Sequence, residues 1–213
     1  MNREDFIARH PRLFHMAAAD SWPSIQRHGL LSTSALVDLY DPTPAVRHEI
    51  LETVRRRSYV LSYPGLDDAT VRDQLPLKFI DRCLFPGVTT QEFLDALNTR
   101  VFFHVDEERL LRLLNARAYR NKVHDVLMLD TATFLGNHPN VELAPYNTGS
   151  VHVPNMPPRG PETFEPLEDY SLPYWERIRG SKDAIVELTV RHSAQLGNAV
   201  LSASQWHHGA RVS

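Results

Sequence analysis

The chain has 213 residues, 42% of them hydrophobic and 23% charged, a balance that suits one buried core and excludes disorder over most of the length. Its formal charge of −3 offers no global basic field of the kind that gathers nucleic acid or an anionic membrane. A single cysteine, Cys83, excludes an intramolecular disulfide framework and suits a reducing compartment. The charged start, MNREDFIARHPRLF, has no apolar core for a secretory signal. No stretch nears the roughly 18 apolar residues that cross a bilayer, so no membrane association is expected and the chain reads as cytoplasmic.

Residues 12–17 form a short apolar run with the character of a strand. Asp20 or Ser21 is placed to cap a following helix, with Trp22 and Pro23 in its first turn, Ile25 on its buried side and Gly29 at its C-terminal end. Helices are predicted over 32–39 and 45–57, separated by Pro42 and Pro44, and the run Arg55-Arg56-Arg57 reads as a solvated helix end. Residues 58–63 read as extended and 64–73 as a loop. A capped helix over 90–97 leads to a strand over 100–105. A helix over 107–118 follows, with Leu110, Leu111, Leu113 and Leu114 as its buried stripe. A strand at 126–129 passes through Thr131 into a short helix ending near Gly136, and 141–144 is a further strand. Residues 145–180 are proline-rich and aperiodic, a long loop of the sort that covers binding sites. Strands return over 184–191 and 199–206, and the tail from His207 is expected to fray. Strands and helices interleave without a βαβ rhythm, so the class is α+β, in one domain spanning 1–213.

Several common sites are absent. The glycines never form a G-x-G pair, so there is no Rossmann fingerprint, and there is no G-x-x-x-x-G-K-[ST], G-x-S-x-G or H-E-x-x-H pattern. Among eleven histidines only His207 and His208 are adjacent, and His104 with Asp106 and Glu107 is explained more simply by a strand end and a helix cap than by a metal. No metal is expected. Cys83 sits in an apolar stretch and reads as packing rather than as a nucleophile.

The specific signal is Leu13-Phe14-His15-Met16-Ala17, then Trp22-Pro23-Ser24-Ile25, then His28-Gly29-Leu30-Leu31-Ser32. It resembles the opening of DarT-like enzymes of the ADP-ribosyltransferase superfamily: a strand ending in histidine, a Ser-Ile helix, and Gly-Leu-Leu-Ser. A second segment, Ala184-Ile185-Val186-Glu187-Leu188-Thr189-Val190, resembles the strand that carries their catalytic glutamate. Ala17 departs from the pattern, standing where those enzymes carry a hydroxyl. The resemblance implies an α+β fold with a split mixed β-sheet core and flanking helices, and NAD as co-substrate. It implies that His15, the main chain of Met16, and Ser24 contact NAD, that Phe102 or Phe103 stacks on nicotinamide, and that Glu187 is catalytic. For the pyrophosphate an arginine fork is wanted, and Arg72, in Val71-Arg72-Asp73-Gln74, is the candidate. Read without the resemblance, His15 is a strand histidine with a satisfied ring, Glu187 a solvent-facing strand residue, and either phenylalanine a core residue.

The chain as a whole is also similar to an uncharacterised bacterial family with Arg-Asp-Gln, Leu-Asn-x-Arg-Val-Phe-Phe and Asn-Thr-Gly-Ser signatures. The function expected from the resemblance is an NAD-dependent mono-ADP-ribosyltransferase that cleaves the nicotinamide–ribose bond and modifies a macromolecule, nucleic acid or protein, with an antitoxin as a further partner. The alternatives are an NAD glycohydrolase or an RNA 2′-phosphotransferase-like enzyme of the same fold, or a catalytically silent module that binds ADP-ribose or a protein.

Overall fold

A computed structural model describes residues 1–212. The chain opens with α1 (Arg3–Arg9), capped by the Asn2 side chain, which accepts from the Asp5 N–H at 2.8 Å. Strand β1 (Arg12–Ala18) follows, then α2 (Trp22–His28) and β2 (Leu30–Leu31). Ser21 occupies the N-cap of α2 but makes no side-chain bond there; the Trp22 N–H donates instead to Asp125 Oδ2 at 2.9 Å. Gly29 ends α2 with φ 74°, and a Cβ there would lie 2.8 Å from the Ala194 carbonyl oxygen, so only glycine fits.

Helices α3 (Thr33–Tyr40) and α4 (Pro44–Leu51) come next, then the hairpin of β3 (Tyr59–Leu61) and β4 (Ala69–Val71). The helix expected over 45–57 stops at Leu51, and the loop expected over 64–73 contains β4. Arg55 explains the early stop. It is 6% exposed rather than solvated, and its guanidinium donates to the carbonyls of Ile50 and Arg72 and to Asn98 Oδ1 at 2.7–2.9 Å. Burial brings its pKa down to about 10, which leaves it charged at neutral pH.

Helix α5 (Thr90–Asn98) starts with a Thr89–Glu92 capping box. It leads into β5 (Arg100–His104), α6 (Glu107–Leu114), β6 (His124–Asp130), α7 (Thr131–Asn137) and β7 (Val141–Ala144). The stretch 145–180 is not one loop: it holds β8 (Glu165–Pro166) and α8 (Leu172–Arg179). Helix α8 has no fully buried residue; Leu172 and Trp175 rest half-buried on the core while Tyr174 and Ile178 face out, so no one-sided apolar stripe marks it in the sequence. The chain finishes with β9 (Glu187–Arg191), β10 (Ser193–Ala194), β11 (Val200–His207) and β12 (Ala210–Arg211). The tail expected to fray from His207 folds back instead, as β12 pairs with β11.

The class is α+β. One eight-stranded sheet runs β12-β11-β6-β1-β5-β9-β7-β8, and every pairing within it is antiparallel. The mixed sheet expected from the resemblance is therefore corrected. Only β7–β8 and β11–β12 are neighbours both in the chain and in the sheet; the other pairs join strands distant in sequence, each of which returns opposite in direction to its partner. The sheet is nonetheless divided. β1 pairs with β6 over its full length, from Arg12↔Asp130 to Ala18↔His124, and β5 pairs with β9 from Arg100↔Arg191 to His104↔Glu187. Between the halves, β1 and β5 share one register, Phe14↔His104, and then part.

The main core spans this division, drawing Leu13 and Leu127 from one half and Phe103 and Leu188 from the other, with Phe134 of α7 packed among them. A second cluster, with Phe14, Met16, Leu110 and Leu114, seats α6 on the other face of β1. No helix among the described residues is long and apolar enough to cross a membrane. Phe103 is fully buried and meets Phe134 edge-on with centroids 4.8 Å apart. Phe103→Ala should therefore lower unfolding free energy by about 3–5 kcal/mol in denaturant melts. Leu201→Ala, at a side chain 45% exposed, should change it by under about 0.5 kcal/mol. Equal effects would contradict this placement of the core.

Candidate functional site

Where β1 and β5 part, a cleft of about 860 Å³ opens. His15, Met16, Ala17 and Ala18 of β1 line it from one side, and Arg100, Val101, Phe102 and His104 of β5 from the other. Ser24 of α2, Arg72 after β4, and Glu187 of β9 also line it. Of the residues singled out in the sequence, all but Phe103 meet in this one cleft. Phe103 points into the core. Phe102, next to it on the strand, alternates to the cleft and rests edge-on against Phe164.

His15 Nδ1 lies 2.8 Å from the Phe102 carbonyl oxygen. A carbonyl only accepts, so Nδ1 carries the hydrogen and Nε2 keeps its lone pair. Burial pulls the His15 pKa down to about 4, against the carbonyl bond that favours the charged form, with the Arg72 charge adding to the fall. The ring is neutral at pH 7.

Glu187 is 4% exposed, which corrects the solvent-facing reading. β9 is covered on both faces: Leu188 and Val190 pack into the main core, and the Thr148 segment lies over Glu187 on the other. Its Oε2 accepts from the Thr148 N–H at 3.0 Å and from the Thr148 hydroxyl at 2.7 Å, leaving Oε1 for the cleft. Burial raises its pKa to about 7, opposed by the Thr148 bonds and by Arg159. The register sets His104 beside it, and His104 Nδ1 is buried without a partner.

Seven arginines line the cleft against three carboxylates, Asp68, Asp73 and Glu187. Three of the arginines are neutralised from outside it: Arg100 by Glu142, Arg109 by Asp106 and Asp183, and Arg112 by Glu108. Among the described residues Arg55, Arg72, Arg159 and Arg179 pair with no carboxylate. The Arg72 guanidinium sits 4.5 Å from the Tyr119 ring centroid, with Nη1 3.5 Å from the Met16 carbonyl oxygen. This excess of positive charge gives the cleft a field that favours anions over cations.

Sequence reasoning did not assign roles here to Thr148, Tyr146, Arg159, Arg179, His104 or Arg55. Asn147-Thr148-Gly149-Ser150 and Pro158-Arg159-Gly160 lie in the long proline-rich stretch, where turn chemistry explains such residues as well as a site does, and nothing local tells that Thr148 caps a strand carboxylate some forty positions away. The arginine excess of the chain interior was not visible either, because the overall charge is negative. No group of three or more histidine, cysteine, aspartate or glutamate side chains among the described residues is arranged to hold a metal.

The raised pKa of Glu187 has a signed consequence. Its proton is held more tightly in the folded chain, at about 7 against an ordinary 4.5. The resulting stability is present in full below pH 4.5 and is lost as pH rises through about 7. The stability of the wild type relative to Glu187→Gln, from melts at fixed intervals of pH, should fall across that window. A difference independent of pH would show Glu187 titrating as an ordinary carboxyl.

No curated protein matches the chain in sequence. A family model described as a family of unknown function, DUF7002, matches residues 11–200, and the chain belongs to that family.

Proposed function

We propose that the protein is an NAD-dependent mono-ADP-ribosyltransferase that acts on a macromolecular acceptor. The observation that carries this reading is that His15 and Glu187, from opposite halves of a divided sheet, line one cation-rich cleft. NAD would supply a nicotinamide–ribose bond whose cleavage passes through an oxocarbenium-like centre.

Each residue has work to do in such a cleft. Glu187, held through Oε2 by Thr148, offers Oε1 to a ribose hydroxyl. Its ionised form strengthens that hydrogen bond as positive charge develops on the sugar, which favours the transition state over the ground state. His15 Nε2 accepts from a second hydroxyl, its orientation set by the Phe102 carbonyl. Arg72, free of carboxylates, presents its fork to a pyrophosphate. The ring of Phe102 and the main chain of Met16 bracket the nicotinamide end, with Ser24 beside them.

Purified protein incubated with labelled NAD, alone and with DNA, RNA or protein acceptors, tests the reading. Nicotinamide release should fall at least about a hundredfold in Glu187→Ala. In the wild type, kcat/KM should rise through about pH 7 as Glu187 ionises and level off above it. Equal release from the variant, or none from the wild type with any acceptor, sinks the proposal. Release without an adduct identifies NAD hydrolysis, and phosphate passing from 2′-phosphorylated RNA to NAD identifies the phosphotransferase alternative. Binding without release identifies a silent module.

A further inference from the structure

A second group of cations in the cleft belongs to segments that carry neither His15 nor Arg72. Arg159 lies in the connection between β7 and β8, and Arg179 closes α8. Both guanidinia pack over the ring of Tyr146, at 4.2 and 4.5 Å from its centroid. Arg159 is 1% exposed; one nitrogen donates to the Pro157 carbonyl, while Nε is buried without a partner. Arg179 Nε donates to the Asp183 carbonyl at 3.0 Å, which leaves the outer face of its fork unused by that bond. Neither pairs with a carboxylate among the described residues.

Two guanidinium groups sharing one aromatic ring repel each other, and a buried donor without an acceptor is costly. An anion between them removes both penalties. A phosphate monoester fits best, because its terminal oxygens accept from the fork of Arg179 while its two charges offset the Arg179 and Arg159 charges together. Met156, three residues before Arg159, adds an apolar wall to the cleft and packs on a core cluster. The volume of about 860 Å³ lies toward the upper end of small-ligand clefts, roughly 300–1,000 Å³.

We propose that Arg159 and Arg179 form a second anion subsite, separate from Arg72, which holds the phosphate of a nucleotide whose base rests against Met156. The contacts of Arg159 and Arg179 share no residue with those of Arg72, which are Met16, Tyr119 and Arg55. The subsite stands whether or not NAD is the other ligand; where the transferase reading holds, it receives the phosphate of the acceptor.

Calorimetric titration of the full chain tests the subsite with inorganic phosphate, a nucleoside 5′-monophosphate, a short 5′-phosphorylated single strand and a phosphoserine peptide. Phosphate and the nucleotide ligands should bind at a site that Arg72→Ala leaves intact. Arg179→Ala should weaken them by about tenfold or more, and so should Arg159→Lys, which keeps the charge and loses the fork. Arg72→Ala should leave phosphate binding within about twofold of wild type. Circular dichroism checks that each variant is folded, and the partly exposed Arg179 carries the test if the buried Arg159 position does not tolerate change. The tighter of monophosphate and strand identifies the source of the phosphate. No phosphate binding by the wild type, equal losses in Arg72→Ala and Arg179→Ala, or tighter binding of the phosphopeptide than of either nucleotide would overturn the assignment. Phosphate binding that persists in a protein releasing no nicotinamide would end the transferase reading and leave this subsite standing.

Discussion

Strands β1 and β5 are neighbours in the sheet, yet their backbones meet at Phe14 and His104 and separate beyond that point. Separation exposes peptide groups that an unbroken ladder would pair, and buried peptide groups left alone are costly. Part of that demand is met by a side chain: the His15 imidazole spans the gap to the Phe102 carbonyl. This hydrogen bond fixes the tautomer of the ring, the reach of β1 across the cleft and the position of Phe102 together. The cleft, the neutral state of His15 and the line-up of β5 with β9 that delivers Glu187 all follow from strands that part without losing the sheet.

Charge is arranged around the cleft in two layers. Outer carboxylates neutralise Arg100, Arg109 and Arg112, and those pairs tie β5, α6 and the approach to β9 to their neighbours. The remaining cations are held by carbonyl oxygens and aromatic rings, which position a guanidinium without cancelling its charge. Carbonyls anchor, and the positive charge is left for whatever enters. Glu187 sits within this field, and its burial and the Arg159 charge pull its ionisation in opposite directions.

Much of the framework was legible because the signals are local. The Thr89–Glu92 capping box, the leucine stripe of α6 and the glycine that ends α2 each act within a few residues, and each element begins or ends near where they place it. The failures share a cause. Arg55 looked like part of a solvated run, but its acceptors come from Ile50, Arg72 and Asn98, partners that no local pattern reveals. α8 rests on the core through only half-buried Leu172 and Trp175, while Tyr174 and Ile178 are exposed, so apolar residues on both faces blur its period. Glu187 looked half exposed because alternation assumes one wet face, which an inner strand of a covered sheet does not have. His15 and Glu187 were nameable from sequence, while the Thr148 cap and the Tyr146 cluster exist only once distant segments are folded together.

The ends of the sheet bear on how the protein meets other macromolecules. Its outermost strands, β8 and β12, are two residues long, and β8 includes Pro166, which has no N–H to offer. At the β8 border no row of free peptide groups is left for a passing strand to join, whereas β12 pairs with only Trp206 and His207 of the eight-residue β11. Recruitment by backbone pairing is thereby discouraged at one border, and the outer edge of β11 ahead of Trp206 is where the sheet remains open to it.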